Sequence, residues 1–200
     1  MEIFYLKKHK ILNSIDKKSL ESFWDGKEFS CEDKYFEHVL GLFLTKFIAK
    51  HIYGLKNLNI ELRGKKPYFM TGGINFSISH SNDIVLVAFN NAEIGADVEF
   101  MCHRNYRGIM KRYGETNENP SRLEFYKFWT LHEAEIKLNK EVRSLFSTLL
   151  EDDYVVSCVS SNILVTNFLI KQISVNPNKS NINLLEEFTH PKNIKIITTD

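Results

Sequence analysis

Apolar residues recur at Phe36, Val39, Leu40, Phe43, Leu44, Phe47 and Ile48, the three-and-four spacing of an amphipathic helix. Ser30-Cys31-Glu32-Asp33 precedes this run and predicts a boxed helix start. A second long helix is predicted to open at Asn119 as cap, with Pro120 at its first position, and to run to about residue 140. It is apolar on more than one side, at Leu123, Phe125, Tyr126, Phe128, Trp129 and Leu131, which predicts burial. Between them the period changes. Asn75 to Ser79 and Ala92 to Phe100 read as strands, and the nearly unbroken apolar run Ile84 to Phe89 reads as a buried strand, with His80 to Asp83 as a loop. Shorter strands are predicted over residues 1 to 6, Asn59 to Arg63 and Ile194 to Thr198, and short helices over Asp16 to Trp24 and Arg104 to Tyr113. Tyr154 to Val159 and Ile163 to Ile170 read as a hairpin turned at Ser160-Ser161-Asn162, and residues 174 to 183 as an exposed loop.

Length and composition narrow the class. Two hundred residues, 43% of them hydrophobic, suit one domain or two small lobes sharing a core. No apolar run approaches the roughly 18 residues a membrane helix needs, so no membrane partner is expected. Twenty-six basic residues against 25 acidic ones leave a net charge of +1, which argues against nucleic acid as a partner and makes any phosphate site a local one. Cys31, Cys102 and Cys158 are too few and too scattered for a disulfide framework or a Cys-x-x-Cys metal site. With an N-terminus lacking the order of a secretory signal, they point to the cytoplasm.

Three short segments concentrate the chemistry: Phe76-Ser77-Ile78-Ser79-His80-Ser81, Ile94-Gly95-Ala96-Asp97-Val98-Glu99, and Phe128 to Lys137. Asp97 and Glu99 stand two apart on a strand, so both carboxylates share one face, while Ile94, Ala96, Val98 and Phe100 take the other. Glu133 and Lys137 stand four apart on a helix, an acid and a cation stacked on one flank. A helix packed across the sheet would let Glu133 complete an oxygen-lined pocket for a hard cation such as Mg²⁺, leaving His80 and Lys137 to meet phosphate. His132-Glu133-x-x-Ile136 misses the last histidine of the zinc-protease pattern.

In order and spacing, Ile78-Ser79-His80-Ser81, Gly95-x-Asp97-x-Glu99 and Trp129-x-x-His132-Glu133-Ala134-x-x-Lys137 resemble the 4'-phosphopantetheinyl transferases, specifically the long single-chain type that acts on peptide and polyketide synthetases. The resemblance covers roughly residues 30 to 140. It implies an α+β fold of two similar lobes, a pseudo-dimer in which each small, mostly antiparallel sheet is packed by a long helix. The lobes would be residues 1–100 and 101–200, with the site at their junction. It further implies transfer of 4'-phosphopantetheine from coenzyme A to a serine of an acyl or peptidyl carrier protein, releasing adenosine 3',5'-bisphosphate. Asp97, Glu99 and Glu133 would hold Mg²⁺, and Ser79, His80 and Lys137 would contact the coenzyme A phosphates. The serine would lose its proton to Glu133 or to a metal-bound water, with Lys137 as a proton donor to the leaving group. Lys66 and Pro67 would lie along the nucleotide, and Lys46 would meet the 3'-phosphate. A chain of this length would carry its own site as a monomer.

Three positions depart from the family pattern. Gly64 falls one place early in the Gly-Lys-Pro turn, Lys46 replaces an arginine, and His132 replaces the usual lysine before the glutamate. Lysine at 46 keeps the charge and loses the two-pronged fork. Two other readings of the same residues are a catalytically weak member that only binds coenzyme A or a carrier protein, and a Mg²⁺-dependent nucleotide phosphoesterase.

Overall fold

The computed structural model describes residues 1–115, 117, 119–162, 169–175 and 194–199. Its strands are β1 (Glu2–Lys7), β2 (Ile60–Arg63), β3 (Lys66–Phe69), β4 (Asn75–Ser81), β5 (Ile84–Asn90), β6 (Ile94–Phe100), β7 (Ser144–Leu150), β8 (Tyr154–Ser160), β9 (Leu169–Val175) and β10 (Ile194–Thr199). The helices are α1 (Lys8–Leu12), α2 (Lys17–Leu20), α3 (Glu32–His51), α4 (Tyr106–Arg112) and α5 (Arg122–Leu138). A five-stranded sheet has the order β10-β9-β1-β5-β4, a three-stranded sheet β6-β8-β7, and β2-β3 is a separate hairpin. All pairings are antiparallel except β1 with β9. The fold is α+β. Strand pairing crosses residue 100 twice, since β6 pairs with β8 and β9 returns to β1.

Four layers follow from the period of two in the strands. Phe4, Leu6, Val85, Val87 and Phe89 face α3, whose Val39, Leu40, Phe43, Leu44, Phe47 and Ile48 are all buried. The opposite parity, Ile3, Tyr5, Ile84, Leu86 and Ala88, packs against Ile94, Ala96, Val98, Val156 and Cys158 of the smaller sheet. The far face of that sheet meets α5 through Val155 with Phe125 and Tyr126, and through Val159 with Ala134 and Leu138.

Several local expectations are corrected. α3 begins after Cys31, whose side chain makes no capping bond, so the predicted box is not formed. α5 is capped by Ser121 in a reciprocal box with Glu124, rather than by Asn119 with Pro120. β4 runs through Ser81, which puts His80 in a strand and not in the following loop. The turn at Gly64-Lys65 closes a hairpin whose second strand carries Lys66 and Pro67. β8 pairs with β6 on one side and with β7 on the other, β7 being joined to it by a turn in which Glu151 and Asp152 adopt positive φ. Residues 163–168 and most of the predicted 174–183 loop lie outside the described residues.

Candidate active site at the β4–β6 junction

β4 is an edge strand of one sheet and β6 an edge strand of the other, and serines join them. Ser77, Ser79 and Ser81 alternate along β4, and their hydroxyls accept the N–H groups of Ala96 (3.0 Å), Val98 (3.2 Å) and Phe100 (3.0 Å). A free strand edge would otherwise carry these donors unpaired. Two of the hydroxyls reach further. Ser79 Oγ donates to Asp97 Oδ1 at 2.7 Å, and Ser81 Oγ donates to Glu99 Oε2 at 2.8 Å. The serine row thus links the layers and orients both carboxylates.

α5 crosses the same face of β6, and Gly95 permits the approach. A Cβ at this position would lie 1.9 Å from Ala134 O and 2.6 Å from Leu138 N, inside the helix backbone. The glycine of the Gly-x-Asp-x-Glu strand is therefore a packing requirement of the site. With the helix so close, Lys137 Nζ donates to Asp97 Oδ1 (2.8 Å), Ala96 O (3.1 Å) and Ile78 O (3.4 Å), three acceptors for three ammonium protons.

Asp97 is only 6% exposed, and its Oδ2 is buried with no hydrogen-bond partner among the described residues. An unpaired buried polar group costs about 1–3 kcal/mol, and more when charged. Burial raises the Glu99 pKa above the ordinary carboxylate value and the Asp97 charge adds to this, against Ser81, Arg104 and the Trp129 indole, which lower it. Two acids close together, one with an orphaned oxygen, fit a hard divalent cation held by oxygen ligands. Among the described residues no three His, Cys, Asp or Glu side chains are gathered as a metal-holding group. Glu133 stands four residues from both Trp129, which meets Glu99, and Lys137, which meets Asp97. It is half-buried and makes no hydrogen bond or ion pair among the described residues.

No family model matches the chain. It is 31% identical over 112 residues to a Haemophilus influenzae protein named as a candidate 4'-phosphopantetheinyl transferase, covering 50% of this chain and 47% of that protein. It is 25% identical over 179 residues to the 4'-phosphopantetheinyl transferase gsp of Aneurinibacillus migulanus, covering 70% of this chain and 75% of that protein. Both relatives carry the name 4'-phosphopantetheinyl transferase, which at this modest identity supports membership of that superfamily. It matches about half the length of the Haemophilus relative.

Within that superfamily frame the motif residues divide. Asp97, Glu99, Ser79 and Lys137 come together, with His80 one strand position away. Ser79 is 4% exposed and its hydroxyl is engaged by Asp97 and Val98, so as placed it serves the acid rather than presenting an open phosphate contact. His80 projects from β4 on the parity that faces α3, and its side chain keeps 43% of its exposure. Lys66 donates to Glu93 Oε2 at 2.7 Å, and Lys140 donates to the other oxygen at 3.1 Å, so the hairpin cation is paired. Pro67 lies opposite Leu62 in that hairpin. Lys46 is half-buried on α3, and no bond among the described residues ties it to the Asp97 cluster. His132 sits among aromatic rings, with Tyr113 at 4.6 Å and Phe128 stacked at 6.2 Å. Sequence reasoning missed that Ser79 and Ser81 orient the two carboxylates and that Ser77 joins the same row; alternating Ser on β4 was the available signal.

Proposed function

We propose that the chain transfers the 4'-phosphopantetheine arm of coenzyme A to a serine hydroxyl of an acyl or peptidyl carrier protein, releasing adenosine 3',5'-bisphosphate. The observation that carries this reading is the buried Asp97 carboxylate, one oxygen bound by Ser79 and Lys137 and the other without a partner among the described residues, on the strand face that also bears Glu99. Superfamily membership supplies the reaction class. Asp97 and Glu99, with Glu133 as a third oxygen donor, would hold Mg²⁺, which when bound neutralises charge on the pyrophosphate.

The acceptor serine oxygen attacks the phosphorus that bears the pantetheine arm, and the bond from that phosphorus to the bridging oxygen breaks. Adenosine 3',5'-bisphosphate departs with the bridging oxygen. Glu133, half-buried and without a side-chain partner among the described residues, takes the serine proton. Lys137 supplies a cation to the phosphate on which negative charge grows, using an ammonium already held at the site by three oxygens. The Ser79 and Ser81 hydroxyls keep the two carboxylates turned toward α5. Two helix-on-sheet halves, α3 on β4–β5 and α5 on β6–β8, support a two-lobed arrangement with the site at the junction, and all these residues come from one chain, so the proposed unit is a monomer. Apo carrier proteins incubated with coenzyme A and Mg²⁺ should gain the mass of one arm. Hydrolysis of coenzyme A with no mass gain on any carrier would favour the phosphoesterase instead.

A further inference from the structure

Glu37 lies on α3, outside the three motif segments, yet it is among the most enclosed charged groups near the junction. Its side chain keeps 12% of its exposure. One oxygen lies 3.2 Å from Lys8 Nζ, and the other lies 3.2 Å from His80 Nδ1. Gly41, one turn along α3, makes this reach possible. A Cβ there would stand 2.9 Å from Ile78 Cγ2, so the helix rests directly on β4 two residues before His80. With Nδ1 turned to Glu37, Nε2 is on the far side of the ring. Lys8 balances the Glu37 charge and is itself anchored by Asp33.

We propose that Glu37 is a positioning residue for His80: its carboxylate fixes the ring with Nε2 directed away from α3, and Lys8 shields that carboxylate from the anion His80 receives. The inference rests on the transferase reading for the identity of that anion, the diphosphate of coenzyme A. A bare histidine on an edge strand has several ring orientations, and each must be given up when a phosphate binds. A histidine fixed by a carboxylate has already lost them and carries its own counter-charge when protonated.

The charged groups acting on the imidazole come from four elements. Burial lowers its pKa, as do Lys137 on α5 and Lys8 on α1, whereas Glu37 on α3 and Asp97 on β6 raise it. Removing Glu37 therefore lowers the His80 pKa and removing Lys8 raises it. NMR titration of the His80 ring in the ligand-free full chain separates this pairing from simple packing. Glu37→Gln should lower the midpoint by roughly one pH unit, Glu37→Asp should restore most of it, and Lys8→Met should shift it upward. Calorimetry with coenzyme A and with inorganic pyrophosphate supplies the functional arm. Glu37→Gln and His80→Ala should each weaken binding about tenfold, and the double variant should be no weaker than His80→Ala alone. An unchanged His80 midpoint in Glu37→Gln, or losses that multiply in the double variant, would overturn the proposal. Should coenzyme A bind to none of the proteins, wild type included, the transferase reading fails, and the midpoints alone decide the Glu37–His80 pairing.

Discussion

The two long helices meet the sheets differently. α3 is buried along most of its length: Phe36, Val39, Leu40, Phe43, Leu44, Phe47 and Ile48 form one apolar stripe, and Leu42, Thr45 and Ala49 are buried beside it. It offers the junction a single carboxylate, Glu37. α5 buries a narrower stripe, Phe125, Tyr126, Thr130, Ala134 and Leu138, and leaves Trp129, Glu133 and Lys137 along a half-exposed flank beside the acidic strand. A glycine allows each contact, but the obstacles are unlike. Gly41 approaches the end of an isoleucine side chain, whereas Gly95 lies against helix backbone. α3 is chiefly scaffold, and α5 delivers functional groups at a distance that only backbone-to-backbone contact gives.

Gly95→Ala should therefore cause the largest damage. Neither Ala134 O nor Leu138 N can move without shifting α5, and the loss of stability should be about 3 kcal/mol or more, measured by urea unfolding. Any folded fraction should have lost the Lys137–Asp97 contact, and with it activity. If Gly95→Ala unfolds at the wild-type midpoint, the close approach of α5 is wrong.

Asp97→Asn comes next and separates chemistry from scaffold. It removes the charge and keeps the shape, so transfer should fall at least about a hundredfold. Stability should change little, because the substitution weakens the Lys137 pair while relieving an orphaned carboxylate oxygen. Unaltered transfer with unaltered Mg²⁺ dependence would remove Asp97 from the site. Gly41→Ala should be milder. The helix gains up to about 1 kcal/mol from alanine, offsetting a clash of about 1–2 kcal/mol that Ile78 relieves by turning. A loss as large as that of Gly95→Ala would erase the contrast between the two helices.

The smallest effect concerns ion pairs that tie distant strands together. Glu2 is bound by Lys171 and Tyr53, and Glu151 by Lys7 and Tyr5. Burial opposes ionisation of both acids, but their hydrogen-bond and charge partners leave each pKa lowered. Their contribution is complete above the unfolded value of 4.5 and is lost as pH falls through the lower folded values. Urea midpoints should drop between pH 5 and 3, and Lys171→Met should shrink that drop by less than about 1 kcal/mol. An identical drop in the variant would show that the pair contributes nothing.

Much of this arrangement could be read from local sequence. The apolar spacing of α3 and the parity that sets Asp97 and Glu99 on one face against Ala96 and Val98 were both legible. What escaped depends on partners far along the chain. β7 is an edge strand with Leu145 and Leu149 exposed, so its pattern does not advertise a buried face. β9 pairs with β1 in parallel, a contact no nearby turn announces. The alternating serines of β4 resemble a solvent face, although they meet the edge of a second sheet. The Gly95 contact required knowing that a helix lies over that one residue, and Glu37 was hidden in a run that reads as core.

On the function proposed above, this junction loads a carrier protein with the arm of coenzyme A. Intact-mass spectrometry of a panel of apo carrier proteins, incubated with coenzyme A and the wild-type chain with and without Mg²⁺, tests it most directly. At least one carrier should gain one 4'-phosphopantetheine, located to its serine, dependent on Mg²⁺ and absent with Asp97→Asn. No gain on any carrier, or an equal gain with Asp97→Asn, would contradict it.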